Sequence, residues 1–159
     1  PIPAIEPFAA AGELLAALGV EASELPVELY DNGIRHVYVT LPSVEAVSVL
    51  DPDLAALRRL GGIGINCFAA DGSTVRTRMF GPGLGVAEDP ATGSAAGPLA
   101  VHLVRHGRAA FGDEIRIEQG AEIARPSTLF ARIEGEGDRI DRVEVGGQAV
   151  VVARGEFRF

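Results

Sequence analysis

Pro98 stands inside the one strongly apolar helical stretch of this chain, residues 94–106, and it restricts where that helix can begin. A proline lacks the amide that would bond the carbonyl four residues back, and its ring clashes with that carbonyl, whereas the first turn of a helix tolerates it. The spacing therefore predicts a first turn within residues 94–97, with Ser94 or its neighbour at the cap. Upstream, Gly81, Gly83 and Gly85 follow a β-rich run, and Glu88-Asp89-Pro90-Ala91-Thr92-Gly93 leads into the helix. Strand, glycine loop, acidic pair and helix start read together as a pocket wall for a small anion. Unpaired amides at a helix N-terminus carry partial positive charge that binds a carboxylate or phosphate, and glycines let the ligand approach the backbone. Asp89 is the ionisable group beside that pocket.

Turn chemistry marks out the rest. Residues 27–31 and 34–41 are β-rich runs joined by Asn32-Gly33, a pair that accepts the positive φ of a type I′ turn. Asp71-Gly72 repeats the device between 64–70 and 74–80, and Gly146-Gly147 links 139–145 to 148–154. With 114–118 and 127–134 the count is about eight strands, and the polar residues 134–138 read as a hairpin tip. Helical periodicity is confined to 9–18, to short pieces at 44–50 and 54–60, and to 94–106, whose apolar surface on nearly every side asks for burial within the sheet. The expected fold is α+β, a mostly antiparallel β-barrel of about eight strands around a central helix.

At 159 residues the chain reads as a single domain, 1–159, able to bury a core without metal or disulfide staples. Twenty-two acidic against fourteen basic residues give a net charge of −8, which disfavours nucleic acid or an anionic membrane as a partner and makes any anion site local. No apolar run approaches the roughly 20 residues that span a bilayer, and the first eleven residues lack the pattern of a signal peptide. One cysteine, Cys67, fits a reducing compartment, so a cytoplasmic location is expected.

By spacing alone, Asp89 before a proline is a helix cap or turn initiator. Thr92, Gly93 and Ser94 can cap the helix or cradle an anion, since both uses draw on the same free amides. Ser94 does not read as a nucleophile, because its surroundings are not Gly-x-Ser-x-Gly and no histidine is tied to it by sequence. The alternating glycines at 81, 83 and 85 fail the dinucleotide fingerprint, since Pro90 separates them from the helix and no acidic residue follows at the required distance. His102 and His106 have the i, i+4 spacing of zinc ligands but neither an intervening glutamate nor a third ligand, and read as partly buried or surface histidines. Cys67, in an apolar strand, reads as a small core residue. Neither a metal nor a cofactor is expected.

The run Glu88-Asp89-Pro90-Ala91-Thr92-Gly93-Ser94-Ala95 resembles the motif of the phenazine biosynthesis PhzF-like isomerases, whose fold is diaminopimelate epimerase-like. Glu118-Gln119-Gly120 followed by Arg125-Pro126-Ser127 is similar to the family's stretch after the helix, and residues 75–80 to the strand before it. The resemblance spans essentially the whole chain and implies the second of the two similar domains of such a protein. The family's first half, which supplies the glutamate that moves the proton and a Gly-His pair facing the substrate, has no counterpart here. With Pro1 first and Met79 the only methionine, a cleaved, truncated or separately supplied domain is expected.

What the resemblance implies for function is cofactor-free proton transfer on a small cyclic or amino-bearing carboxylate; the family prototype isomerises trans-2,3-dihydro-3-hydroxyanthranilate. It implies that Asp89 faces the substrate to orient it or relay a proton, that Thr92, Gly93 and Ser94 hold its carboxylate, and that Glu88 at most supports them. Related amino-acid epimerases use paired cysteines, and where they carry one near the helix start this chain has Asp89, which favours the isomerase branch. The implied partners are the substrate, an N-terminal domain or second chain, and a second copy in a homo-oligomer. The alternative is a non-catalytic anion-binding or assembly domain that keeps the cradle without the acid/base residue.

Overall fold

The computed structural model describes residues 1–72 and 74–158. Among them the strands are β1 (Ala4–Pro7), β2 (Glu28–Asp31), β3 (Arg35–Thr40), β4 (Gly64–Asp71), β5 (Thr74–Gly81), β6 (Val86–Asp89), β7 (Glu114–Gln119), β8 (Ser127–Glu136) and β9 (Arg139–Gly147). The helices are α1 (Ala11–Leu18), α2 (Val44–Ser48), α3 (Leu54–Arg59) and α4 (Gly93–Arg105), with one 3-10 turn at Pro82–Leu84.

All nine strands join one sheet, in the order β1-β2-β3-β4-β5-β7-β8-β9, with β6 paired to β5. Most neighbours are antiparallel, but β3 with β4 and β5 with β7 are parallel. Parallel neighbours need a crossover; α2 and α3 provide the first and α4 the second. The expected barrel is thereby corrected. The sheet is mixed and forms an open half-barrel, and its outer strands β1 and β9 have no ladder with each other among the described residues.

The curved sheet has helices on both faces. On one, Leu14, Val47 and Leu57 of α1, α2 and α3 pack with Val37, Val39, Ile65, Cys67 and Phe80. On the other, Ala96, Leu99, Ala100 and Leu103 form an i, i+3, i+4, i+7 stripe that packs with Tyr38, Phe68, Ile117 and Ala131. Covered on both faces, β3 is buried from His36 to Thr40 and β4 from Gly64 to Ala69, as strands in parallel pairing are. The central helix expected inside the sheet is α4, which lies against β3, β8 and β9.

Three local expectations are corrected. The turn between β2 and β3 is a three-residue loop in which Gly33 alone has positive φ (110°), because the Asn32 side chain is committed elsewhere. Residues 148–154 form no strand: β8 and β9 pair through a turn at Gly137, and β-rich composition without an adjoining edge makes no ladder. Helix α4 begins at Gly93 with Thr92 at the cap, in place of Ser94 or its neighbour, and Pro98 lies beyond the first turn. The carbonyl it cannot serve, Ser94 O, accepts a hydrogen bond from Asn32 Nδ2 at 2.8 Å, and the next, Ala95 O, from Tyr38 Oη at 2.7 Å. Side chains from β3 and its preceding loop thus supply donors at the start of α4, and the proline is accommodated without moving the helix start.

Candidate active site

Strand β5 is paired twice along the same edge. Residues Thr74 to Thr77 bond β7, and from Met79 onward the partner is β6, with a register shift between Met79 and Gly81. The chain leaves the sheet at this fork, through Pro90 and Ala91, and enters α4. Beneath the fork lies Gln119, the last residue of β7, which is buried and bonds the loop three times. Its Nε2 donates to Asp89 O at 2.6 Å and to Thr92 Oγ1 at 2.9 Å, while its Oε1 accepts from Thr92 N at 3.3 Å. Gly120 follows because a Cβ there would run into Pro90 O and Cα, at 2.7 and 3.0 Å. The two sequence motifs, 88–95 and 118–120, are the upper and lower sides of one clamp.

Glu88 and Asp89 diverge. Glu88 makes a bidentate pair with Arg78 Nε and Nη2, at 2.9 and 2.8 Å, and Arg78 Nη1 donates to Leu50 O at 2.7 Å beyond the end of α2. The Glu88 carboxylate raises the Arg78 pKa, and the guanidinium lies over the Phe80 ring at 4.9 Å. Glu88 therefore anchors β6 to β5. Asp89, half-buried, accepts the Thr92 hydroxyl proton on Oδ2 at 2.6 Å. Thr92 is the N-cap residue, yet its side chain makes no cap hydrogen bond, because its hydroxyl holds Asp89 instead.

The first intrahelical donors of α4 are Ala95 N and Ala96 N, both bonded to Thr92 O, so the amides of Gly93 and Ser94 precede the helical ladder. Gly93 is exposed and Ser94 half-buried, and both line an open cleft of about 430 Å³ with Asn32, Gly33 and Gly97. Asp89 is not among the residues lining that cleft. Of the anticipated cradle, Gly93 and Ser94 line the cleft, and Thr92 is buried as the strut between Asp89 and Gln119.

Sequence reasoning missed His36. It is buried on β3, and its Nε2 lies 3.0 Å from Ser94 Oγ, so a histidine does reach that serine, from 58 residues away. Burial lowers its pKa to about 4, which keeps the ring neutral. A histidine within an apolar strand run was the available signal.

His102 and His106 acquire the third partner their spacing lacked. Glu28 Oε2 lies 2.9 Å from His106 Nε2 and 3.4 Å from His102 Nδ1, and the three ligand atoms lie within 4.8 Å of one another. Tyr30 Oη occupies the same space, donating to Glu28 Oε2 at 2.8 Å and lying 2.9 Å from His102 Nδ1. Arg105 takes the other carboxylate oxygen at 3.5 Å. The carboxylate is thus already charge-paired and hydrogen-bonded. Burial would raise the Glu28 pKa, but the bonds from His106 and Tyr30 outweigh it and hold the group below its ordinary value. Burial, then the His106 charge, lowers His102 to about 4. The group ties β2 to α4. Cys67 is buried and its thiol pushed up to about 12 by burial, which leaves it inert. The alternating glycines lead into a 3-10 turn and β6 rather than a helix, so no dinucleotide loop forms. No helix among the described residues is long and apolar enough to cross a membrane.

Comparison with known proteins agrees with this architecture. The profile of the phenazine biosynthesis-like protein family, PhzC-PhzF, matches residues 3–155. The trans-2,3-dihydro-3-hydroxyanthranilate isomerase of Pseudomonas chlororaphis is 54% identical over 155 residues, covering 98% of this chain and 56% of that protein. Its counterpart in Pseudomonas aeruginosa is 53% identical over the same shares. The chain thus spans a little over half the length of these relatives. Among solved structures, a PhzF-family phenazine biosynthesis protein of Bacillus anthracis superposes with a TM-score of 0.72 at 21% identity, over 92% of this chain and 55% of that one. One from Enterococcus faecalis gives 0.65 at 28%, over 96% and 53%.

Proposed function

We propose that this chain, which belongs to the phenazine biosynthesis-like family, forms the carboxylate-holding wall of a cofactor-free isomerase that moves a proton between carbons of a small cyclic carboxylate. The observation that carries the reading is the start of α4, where Gly93 and Ser94, whose amides precede the helical ladder, line an open cleft at a helix N-terminus. An anion seated there meets unpaired donors and the positive end of the helix dipole. The substrate class follows the relatives, which carry the name trans-2,3-dihydro-3-hydroxyanthranilate isomerase and share over half of this chain's residues.

In this reading Asp89 orients the substrate's polar group or relays a proton, its carboxylate held by the Thr92 hydroxyl and its backbone carbonyl by Gln119. A proton-transferring group must come within hydrogen-bond reach of the carbon acid, and this reading assigns that step to a glutamate supplied by a complementary half, on the same or a second chain. Closure of that segment over the cleft would exclude water and complete the site. The proposed assembly is therefore a two-part cleft, in which a second copy or the complementary half covers the α4 face.

The test is isomerisation of trans-2,3-dihydro-3-hydroxyanthranilate in deuterated water, by this chain alone and together with the complementary half of a relative. Turnover with deuterium incorporation is expected only for the combined protein. Robust turnover by the 159-residue chain alone would overturn the two-part reading, and no turnover in either arrangement would overturn the isomerase assignment.

A further inference from the structure

We propose that His36 is a positioning residue that keeps the Ser94 hydroxyl proton free to be donated to the bound carboxylate, an inference that rests on the isomerase reading above. The two ring nitrogens of His36 meet different partners: Nδ1 lies 3.4 Å from Asn66 Nδ2, and Nε2 lies 3.0 Å from Ser94 Oγ. Asn66 sets the direction of both contacts. Its side-chain nitrogen also reaches Val37 O and Gly64 O, each at 3.3 Å. Carbonyl oxygens only accept, so the group turned toward them is the donating –NH2 of the amide and not its oxygen. His36 Nδ1 therefore accepts, the proton of the neutral ring resides on Nε2, and Nε2 donates to Ser94 Oγ.

The consequence lies at Ser94. With Nε2 already protonated, the ring cannot take the hydroxyl proton, so Ser94 is no nucleophile activated by a base. Its oxygen accepts from His36, and its proton remains available to another acceptor. Ser94 lines the cleft with Gly93, so an oxygen acceptor of a ligand is a partner this hydroxyl proton can serve. The neutral ring is held in place sterically as well. A Cβ built on Gly64 would fall on the His36 imidazole and touch Met79 Cε at 3.0 Å, so only glycine at 64 leaves room for the ring. His36, Gly64, Asn66 and Met79 come from three adjacent strands, β3, β4 and β5, that the parallel crossover brings together. The geometry thus offers a carboxylate a donated hydroxyl proton at this point of the cleft.

Long-range proton–nitrogen correlation spectra of the histidine rings at neutral pH read the tautomer directly. The expected result for the wild-type protein is His36 protonated on Nε2 alone; protonation on Nδ1, or on both nitrogens, overturns the proposal. With the complementary half of a relative supplied, His36→Leu should raise KM for trans-2,3-dihydro-3-hydroxyanthranilate about tenfold, the loss of one donor-ordering hydrogen bond, with a smaller effect on kcat. His36→Gln, which returns an amide donor near the Nε2 position, should recover much of that loss, whereas equal behaviour of the two variants, or a loss confined to kcat, overturns the positioning role. The tautomer measurement stands even where a variant fails to fold. Substrate that shifts the Gly93 and Ser94 amides while His36 carries its proton on Nδ1 sinks this proposal alone. Absence of any such shift with the stated tautomer sinks the ligand claim and the isomerase reading together.

Discussion

The side-chain amide of Asn32 donates to the carbonyl of Ser94 at 2.8 Å, and that carbonyl is the one Pro98, four residues on, leaves without a helical donor. A hairpin loop thereby completes the backbone bonding of a helix 62 residues later and fixes the turn that carries the candidate anion cradle. Removing the Asn32 amide should cost about 1–3 kcal/mol, the penalty for an unsatisfied buried acceptor. Pro98→Ala restores an amide that can bond Ser94 O, so Asn32→Ala should be nearly harmless in that background. Urea unfolding of the two single variants and the double variant measures the coupling, and simple additivity would show that the two residues act independently.

The same logic applies to Gln119, whose three hydrogen bonds hold the loop carrying Asp89 and Thr92. Gln119→Leu conserves much of the volume and strands Thr92 N and Asp89 O, and a loss of about 2–4 kcal/mol is expected from two orphaned polar groups. Gln119→Glu retains acceptors but loses the donating nitrogen, and it places a carboxylate against the Asp89 carbonyl, so it should not rescue. Thermal melts of both variants check this; a Tm within a degree of wild type for Gln119→Leu would mean the clamp is not needed.

Acid should unfold the protein early. Both His36 and His102 are held near pKa 4 by burial, against an ordinary value of 6.5. A depressed histidine pKa means the unfolded chain binds the proton more readily than the folded one. The stability these rings contribute is full above about pH 6.5 and is lost as pH falls toward about 4. Each contributes a slope of about 1.4 kcal/mol per pH unit in that window. Glu28, held below its ordinary value, adds a loss of the same sign at lower pH. Urea midpoints at pH 7, 6 and 5 should decline progressively, and a flat profile would show that these rings protonate within the fold.

How much of this could be read from the sequence differs by element, for physical reasons. The loop from Glu88 to Ser94 was legible because glycine, proline and acidic residues in that order leave few backbone solutions, and the 64–70 and 74–80 hairpin because Gly72 marks its turn. Parallel pairing of β3 with β4 was not, since a short apolar run states burial but not direction. Strands β1 and β6, four residues each, give too few positions for a period of two to register. Residues 148–154 have the composition of a strand, but a ladder needs an adjacent edge, which composition does not encode. Pro98 marked the right difficulty at the wrong place, because its remedy lies in Asn32 rather than in the helix. His36 with Ser94, and Glu28 with His102, are brought together only by the fold, so local spacing could not reveal either pair.

On the proposed reading the candidate site is divided between holding and reacting, and two substitutions, assayed with the complementary half of a relative present, separate them. Ser94→Ala removes one hydroxyl donor while the amides of Gly93 and Ser94 remain, so substrate binding should weaken by roughly 0.5–3 kcal/mol, the range from neutral to charge-assisted hydrogen bonds. It also leaves His36 Nε2 without its acceptor, so a modest fall in Tm should accompany the binding loss. Asp89→Asn keeps the shape, and its side-chain oxygen can still accept the Thr92 hydroxyl proton that now goes to Asp89 Oδ2 at 2.6 Å. The loop should therefore persist, and what disappears is the negative charge. If Asp89 orients the reacting group or relays a proton, kcat should fall much further than KM rises, because an interaction made mainly in the transition state is lost from kcat. If Asp89 only shapes the turn, asparagine serves nearly as well, as it does at helix caps. Measuring kcat, KM and Tm for both variants decides between these, and near-normal turnover by Asp89→Asn with an unchanged Tm would remove Asp89 from the chemistry.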